Sequence, residues 1–306
     1  MADRRFAYFR GKFVPIEEAN INIQTNSFHY GTAVFEGIRA YWNEEHKQLY
    51  GLFFKEHYER MLNNCKILNL QPGLSVEELV NITVELLKLC KHQEDTYIRP
   101  IAYFSDLKIS PKLVGYKTEL AIYTLPLGDY LDLSKGIKVK TSSWNRINDN
   151  MISARCKVAG AYVNSALAKT EAILSGFDEA IMLNPDGTVA EGSGENLFIV
   201  RNGKIITPPL SGNILEGITR NAVIELAKNE LGIEVEERDI LRSEVYVADE
   251  VFLTGTAAQI TPVLQVDHVI IGDGTIGKIT KRLQEVYFKA VKGENEKYAH
   301  WLTPVY

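Results

Sequence analysis

The stretch ARCKVAGAYVNSALAK at 154–169 sets one lysine, Lys157, ahead of an alanine-rich run that also carries Tyr162. A lone lysine is ordinarily a solvated surface group, so a role as a catalytic amine depends on what else the chain assembles around it. Downstream, AEGSGENLFIV at 190–200 offers Glu191 and Glu195 around two glycines. The run reads either as a hairpin connection with solvated carboxylates or as a place where a ligand ring can come close to the backbone. A carboxylate beside a pyridine nitrogen would keep that nitrogen protonated and make the ring a better electron sink.

Two further segments could seat an anion. In GNILEGITRNAV the turn at Gly217 leads into a helix, and the first N–H groups, near Ile218 and Thr219, have no intrahelical acceptor and can converge on negative charge. In LTGTAAQITP a strand exit carries Thr254, Gly255, Thr256 and Ala257, whose hydroxyls and amides could complete the same shell. Each is equally what an ordinary helix cap or turn looks like. Arg60 would add charge-assisted hydrogen bonds if the polar face of its helix approached such a site.

Other chemistries find less support. The three cysteines, Cys65, Cys90 and Cys156, form no CxxC pair, and their odd number argues against a disulfide framework. Cys65 and Cys90 fall in helical patterns and read as packing residues, while Cys156 sits beside Lys157. The six histidines lack ligand spacing such as HExxH, so no metal site is expected. With 34 Lys and Arg against 39 Asp and Glu, no bulk positive field favours nucleic acid. No apolar stretch reaches the roughly 20 residues that span a bilayer, and the N-terminal run has no secretory core, so the expectation is a cytoplasmic protein without a membrane partner.

The elements that must position these residues follow from periodicity. A helix over 56–70 puts Met61, Leu62, Cys65 and Leu68 on one stripe with Arg60 on another face. Ser75 with Glu78 announces a second helix. Strands fit 97–104 and 119–125, with Pro100 suggesting an edge or a bulge in the first. LPLGDYLDLSKG, 125–136, interrupts the strand-like runs and reads as a connection, giving domains of 1–125 and 137–306 joined by 126–136. Beyond it come a strand at 137–143, a helix from Val158 to Leu174, antiparallel elements around Asn184–Gly187 and Asn202–Gly203, a helix over 218–232, and a closing amphipathic helix. At 306 residues the chain exceeds the usual size of one domain, and the reading is an α/β (α+β) enzyme of two unequal domains.

Taken together, YGTAVFEGIRAY, YIRP, the stretch from Cys156 to Asn164, AEGSGENLF, ILEGITR and FLTGTAAQITP resemble the branched-chain amino acid aminotransferases, members of the fold-type-IV pyridoxal-phosphate enzymes, over nearly the whole chain and in family order. GSGENLF alone is shared more widely, with D-amino-acid transaminases and aminodeoxychorismate lyase, which stand as the alternative activities; a noncatalytic pyridoxal-phosphate-binding protein is the alternative of another class. The resemblance implies pyridoxal 5'-phosphate in Schiff-base linkage to Lys157, Tyr162 on its phenolic oxygen, Glu191 on its pyridine nitrogen, and Leu215 against the ring. Arg60, Thr256 and the amides of Ile218 and Thr219 match the phosphate shell.

For substrate, the resemblance implies that Thr256, Ala257 and Ala258 lie where the α-carboxylate is received. It puts Tyr30, Phe35, Gly37, Tyr97 and Trp144 in an aliphatic pocket, some of them supplied across a dimer interface. Arg39 and Arg99 match positions that meet the second carboxylate of glutamate. The implied reaction moves the amino group of leucine, isoleucine or valine to 2-oxoglutarate, reversibly, in a homodimer or a hexamer of three dimers. Two positions depart from some relatives: Cys156, where a small residue is found, and Glu216, where proline occurs.

Overall fold

The structure is a computed structural model and describes residues 5–306. The chain forms two compact units. The first takes the residues up to Gly128, then Cys156–Gly160 and Ala290–Tyr306; the second takes Asp129–Arg155 and Ala161–Lys289. The chain first changes unit at Gly128–Asp129, but Cys156–Gly160 and Ala290–Tyr306, expected in the domain 137–306, belong to the first unit. The short piece that carries Lys157 belongs with the N-terminal unit, although it lies in sequence among residues of the other.

The first unit is built on an antiparallel sheet in the order Leu302–Pro304, Gln48–Leu52, Ile38–Asn43, Thr96–Phe104, Thr118–Pro126, Phe6–Phe9, Lys12–Pro15, with Val34–Phe35 also paired to Thr96–Phe104. Along Thr96–Phe104 the even residues Ile98 and Ala102 are fully buried, whereas Tyr97, Arg99 and Ile101 are half-buried on the opposite face. Helix Val76–Cys90 packs on Phe6–Phe9 and Thr118–Pro126, burying Leu79, Leu86 and Leu87. Its start is the expected capping box between Ser75 and Glu78, a device worth about 1 kcal/mol. Helix Phe54–Ile67 buries Tyr58, Met61 and Cys65 and is tied to its neighbour by a hydrogen bond between Tyr58 and Thr83.

Pro100 lies in an interior strand, not at an edge. Its carbonyl accepts from Glu36 N at 3.0 Å. In an antiparallel ladder the N and O of one residue point to the same neighbour. The missing N–H therefore faces the gap between Val34–Phe35 and Ile38–Asn43, where Glu36 and Gly37 leave the ladder. The irregularity that proline requires sits in the neighbouring strand.

The second unit holds a mixed sheet in the order Val189–Gly192, Glu179–Leu183, Ile137–Thr141, Gln259–Val266, Glu250–Gly255, Asn196–Arg201, Lys204–Thr207, Val235–Glu237. Ile137–Thr141 runs parallel to both of its neighbours, and Lys204–Thr207 is parallel to Val235–Glu237. Leu197, Ile199, Leu253, Val263 and Val139 form one buried cluster. Ala168 and Ala172 of helix Tyr162–Leu174 pack with Ala180 and Met182 in another. Helix Ile218–Leu231 packs on Glu250–Gly255 and ends at Gly232, whose φ of 68° is the left-handed cap that glycine accepts without strain.

The helix expected from Val158 starts instead at Tyr162, after a 3-10 turn at Ala159–Ala161. Helix propensity loses here to a backbone ladder with the first unit's own N-terminal segment. Phe35 N donates to Lys157 O at 3.1 Å, Ala159 N to Ala33 O at 2.8 Å and Gly160 N to Gly31 O at 2.9 Å, and Val158 bridges Val34. Gly31 and Gly160 make this approach possible, since a Cβ on Gly31 would stand 2.7 Å from Gly160 Cα.

Candidate active site

In the first unit, five of the residues singled out in the sequence come together. Arg39 pairs across the sheet with Tyr97, and Phe35 with Ile101, so positions 35, 37, 39, 97, 99 and 101 share one face. Lys157 Nζ lies 5.1 Å from the centre of the Phe35 ring, and the Arg99 guanidinium lies 4.6 Å from the same ring. Arg99 Nη2 donates to Tyr97 Oη at 2.7 Å, while its Nε is buried with no hydrogen-bond partner among the described residues. A buried donor without an acceptor costs on the order of 1–3 kcal/mol, a deficit that a bound carboxylate would remove. Gly37 makes room for the tyrosine: a Cβ there would stand 2.1 Å from Tyr97 Oη.

Arg39 is placed differently from Arg99. It is buried, and its Nη2 donates to the carbonyls of Leu127 at 2.8 Å and Gly128 at 2.9 Å, with Asp95 at 3.9 Å. In this unit its evident task is to hold the chain at 127–128. Arg60 projects from its helix onto Glu36, with Nε to Oε1 at 2.7 Å and Nη2 to Oε2 at 2.8 Å. Tyr30 ends the short helix Asn26–Tyr30, half-buried and with its ring centre 6.2 Å from that of His29. Cys156 is buried, its thiol donating to Asn64 O at 3.5 Å, and burial pushes it up to about 12, which makes it a packing group at ordinary pH.

In the second unit, Glu191 is a buried carboxylate fixed by donors from three segments. Arg146 Nη2 reaches Oε1 at 2.9 Å; Asn196 Nδ2 and Leu215 N reach Oε2 at 3.0 and 3.2 Å. Asn196 Nδ2 also donates to Leu215 O, so the segment that enters helix Ile218–Leu231 is pinned to the carboxylate. That helix starts at Gly217 with no side-chain cap on its first amides, those of Ile218 and Thr219 among them. A Cβ on Gly217 would stand 1.9 Å from Asn196 Oδ1, so only glycine lets the turn sit this close.

Asn196 pairs with Thr254, and the strand leaving Thr254 turns through Thr256, Ala257 and Ala258 before returning at Gln259. Thr254 Oγ1 is buried without a hydrogen-bond partner among the described residues. Tyr162 opens its helix, half-buried, and Trp144 is exposed on a bend. Glu195, the second glutamate of the run, is buried near the ion pair of Lys169 with Glu179; burial, then the Glu179 carboxylate, push it up to about 8.

The model of the family described as amino-transferase class IV matches residues 33–266. A probable branched-chain-amino-acid aminotransferase of Aquifex aeolicus (strain VF5) is 65% identical over 98% of this chain and 97% of its own. Among solved structures, the branched-chain aminotransferase of Thermoproteus uzoniensis with norvaline matches with a TM-score of 0.94 at 45% identity, covering 98% of this chain and 99% of that one. The T.th. branched-chain amino acid aminotransferase complexed with N-(5'-phosphopyridoxyl)-L-glutamate matches with a TM-score of 0.93 at 42% identity, over 98% of both chains. The chain belongs to the class IV branched-chain aminotransferases.

In each unit of this aminotransferase, sequence reasoning missed residues that hold the candidate groups. Glu36, His57, Arg146 and Asn196 carry no periodic or spacing signal of their own. Nothing in the sequence signals Glu36 or Arg146; the need for a partner of opposite charge arises only once Arg60 is seen to be half-buried and Glu191 buried. Among the described residues no group of three His, Cys, Asp or Glu residues could hold a metal ion, and no helix is long and apolar enough to cross a membrane.

Proposed function

We propose that this chain transfers the amino group of leucine, isoleucine or valine to 2-oxoglutarate, reversibly, using pyridoxal 5'-phosphate held on Lys157. The observation that carries the reading is the gathering of Phe35, Gly37, Tyr97 and Arg99 beside the Lys157 amine on one sheet face. An apolar wall suits the branched side chains, and an arginine short of acceptors suits the distal carboxylate of glutamate, so both substrates find a partner there. The aminotransferases similar to this chain support the same pairing, one crystallised with norvaline and one with a phosphopyridoxyl group joined to glutamate.

The donor set fits the cofactor. A primary amine, an anchored buried carboxylate, uncapped helix amides at a glycine that admits no side chain, and a buried hydroxyl lacking a partner are the groups that an aldehyde, a pyridinium and a phosphate require. When bound, the pyridine ring supplies an electron sink for the bonding pair at the substrate Cα. Lys157 would hold the cofactor at its aldehyde carbon and, as a free amine, would carry the proton taken from the substrate Cα. Glu191 would keep the ring nitrogen protonated, while Arg146, Asn196 and Leu215 N keep Glu191 in place. Leu215 would cover the ring and Tyr162 would donate to its phenolic oxygen.

We assign the phosphate to Arg60, Thr256 and the amides of Ile218 and Thr219, and the α-carboxylate to Thr256, Ala257 and Ala258. Arg99 takes the distal carboxylate, and Arg39 supports the chain at 127–128. Tyr30 and Trp144 serve the side-chain pocket in a homodimer, and the protein works in the cytoplasm. A steady-state substrate panel tests the reading: leucine with 2-oxoglutarate should outpace D-alanine, and no pyruvate should form without a 2-oxo-acid acceptor. Preference for D-alanine, or acceptor-independent pyruvate, would assign the chain to the D-amino-acid or lyase activity instead.

A further inference from the structure

Glu36 is a fully buried carboxylate, which is costly unless donors surround it. Arg60 meets it edge-on through Nε and Nη2, at 2.7 and 2.8 Å, and His57 Nδ1 lies 2.8 Å from Oε2. Burial alone would raise Glu36, but the Arg60 guanidinium and the His57 hydrogen bond hold it well below the usual carboxylate range. His57 is itself lowered by burial, so at neutral pH it is an uncharged donor and Arg60 is the positive partner.

The backbone around this carboxylate is equally constrained. Glu36 N donates to Pro100 O at 3.0 Å, and the preceding Phe35 N donates to Lys157 O at 3.1 Å. One short segment therefore anchors the backbone of Lys157 and, through a rigid two-point pair, the orientation of Arg60. The pairing uses the Nε–Nη2 edge of the guanidinium, so the direction of Nη1 follows from where Glu36 stands.

We propose that Glu36 is a positioning residue that fixes Arg60 relative to Lys157 and so matches the spacing of these two groups to the opposite ends of the cofactor that they hold. The inference rests on the assignment of Arg60 to the phosphate. Position is separable from charge. Glu36→Asp keeps the negative charge but withdraws it by one methylene, whereas Glu36→Gln keeps the length and removes the charge. A charge acting only through its field would weaken phosphate binding, since it offsets Arg60, and its removal would strengthen that binding.

The test titrates the full-length protein, freed of cofactor, with pyridoxal 5'-phosphate and with pyridoxal, which lacks the phosphate. In both Glu36 variants the preference for the phosphorylated form should fall by about tenfold or more, the scale of one charge-assisted hydrogen bond, with pyridoxal affinity within about threefold of wild type. An unchanged preference in Glu36→Asp, a gain in Glu36→Gln, or an equal loss for both ligands would overturn the proposal. Arg60→Gln is the control: if it leaves the preference unchanged, the phosphate assignment itself fails. Should neither Glu36 variant fold, hydrogen exchange at Arg60 Nε in the wild-type holoprotein decides. Slow exchange supports the fixed pair, and exchange as fast as in free arginine rejects it.

Discussion

Replacing Gly37 by alanine places a methyl group where the structure has none to spare. The added Cβ would stand 2.1 Å from Tyr97 Oη and 2.9 Å from Cζ, against an ordinary contact of 3.4–4 Å. The ring tip must therefore retreat by roughly 1.3 Å to reach ordinary contact. Gly37 does not have positive φ, so the cost is steric and not one of backbone strain. The retreat moves the acceptor of Arg99 Nη2, which sits at 2.7 Å, and disturbs the stack of Arg99 on Phe35 beside Lys157. Overpacking of this kind costs about 1–3 kcal/mol, or roughly fivefold to 150-fold in a rate that depends on the displaced groups. Single-turnover half-reactions with leucine and with glutamate measure it separately. Both should slow, glutamate more, because on the proposed assignment only its distal carboxylate uses Arg99. Gly37→Ala/Tyr97→Phe, which removes the nearest atom, should recover part of the leucine rate and little of the glutamate rate. Wild-type rates for both substrates in Gly37→Ala would refute the reasoning.

Gly217→Ala brings a Cβ to 1.9 Å from Asn196 Oδ1 at a φ of −71° that alanine adopts freely. Because Asn196 pins both Glu191 and Leu215, cofactor affinity measured by titration should fall by about tenfold to a hundredfold; unchanged affinity would remove Asn196 from the site. Glu195 ionises near 4.5 when unfolded and is pushed up to about 8 by burial and by Glu179 when folded, so between these values the folded state keeps a proton that the unfolded state has lost. Stability therefore declines as pH rises through that window. Glu195→Gln should gain thermal stability over wild type most above pH 8, and no difference in pH dependence between the two would contradict the placement.

Much of this was legible in the sequence because it is local. The capping box at Ser75, the glycine terminus at Gly232 and the turn into Ile218 need only neighbouring residues to specify them, and they stand where periodicity and turn chemistry put them. What escaped depends on contacts between distant segments. The helix expected from Val158 yields to a ladder with residues 31–35, more than a hundred positions earlier, and alanine content carries no trace of that partner. Pro100 marked an irregularity correctly, but the strand that bends is the neighbour, which no pattern within 97–104 could reveal. Glu36 and Arg146 were invisible for the same reason: a buried charge announces that it needs a partner, not which residue supplies it. Arg39 and Arg99, equivalent in the sequence reading, separate only when their acceptors are known.

Which amine carries the cofactor decides the mechanism. Borohydride reduction of the active holoprotein, followed by proteolysis and mass spectrometry, should find the phosphopyridoxyl group on the peptide containing Lys157, and Lys157→Ala should lose both that label and turnover. A label on any other lysine, or near-normal transamination without Lys157, would contradict it.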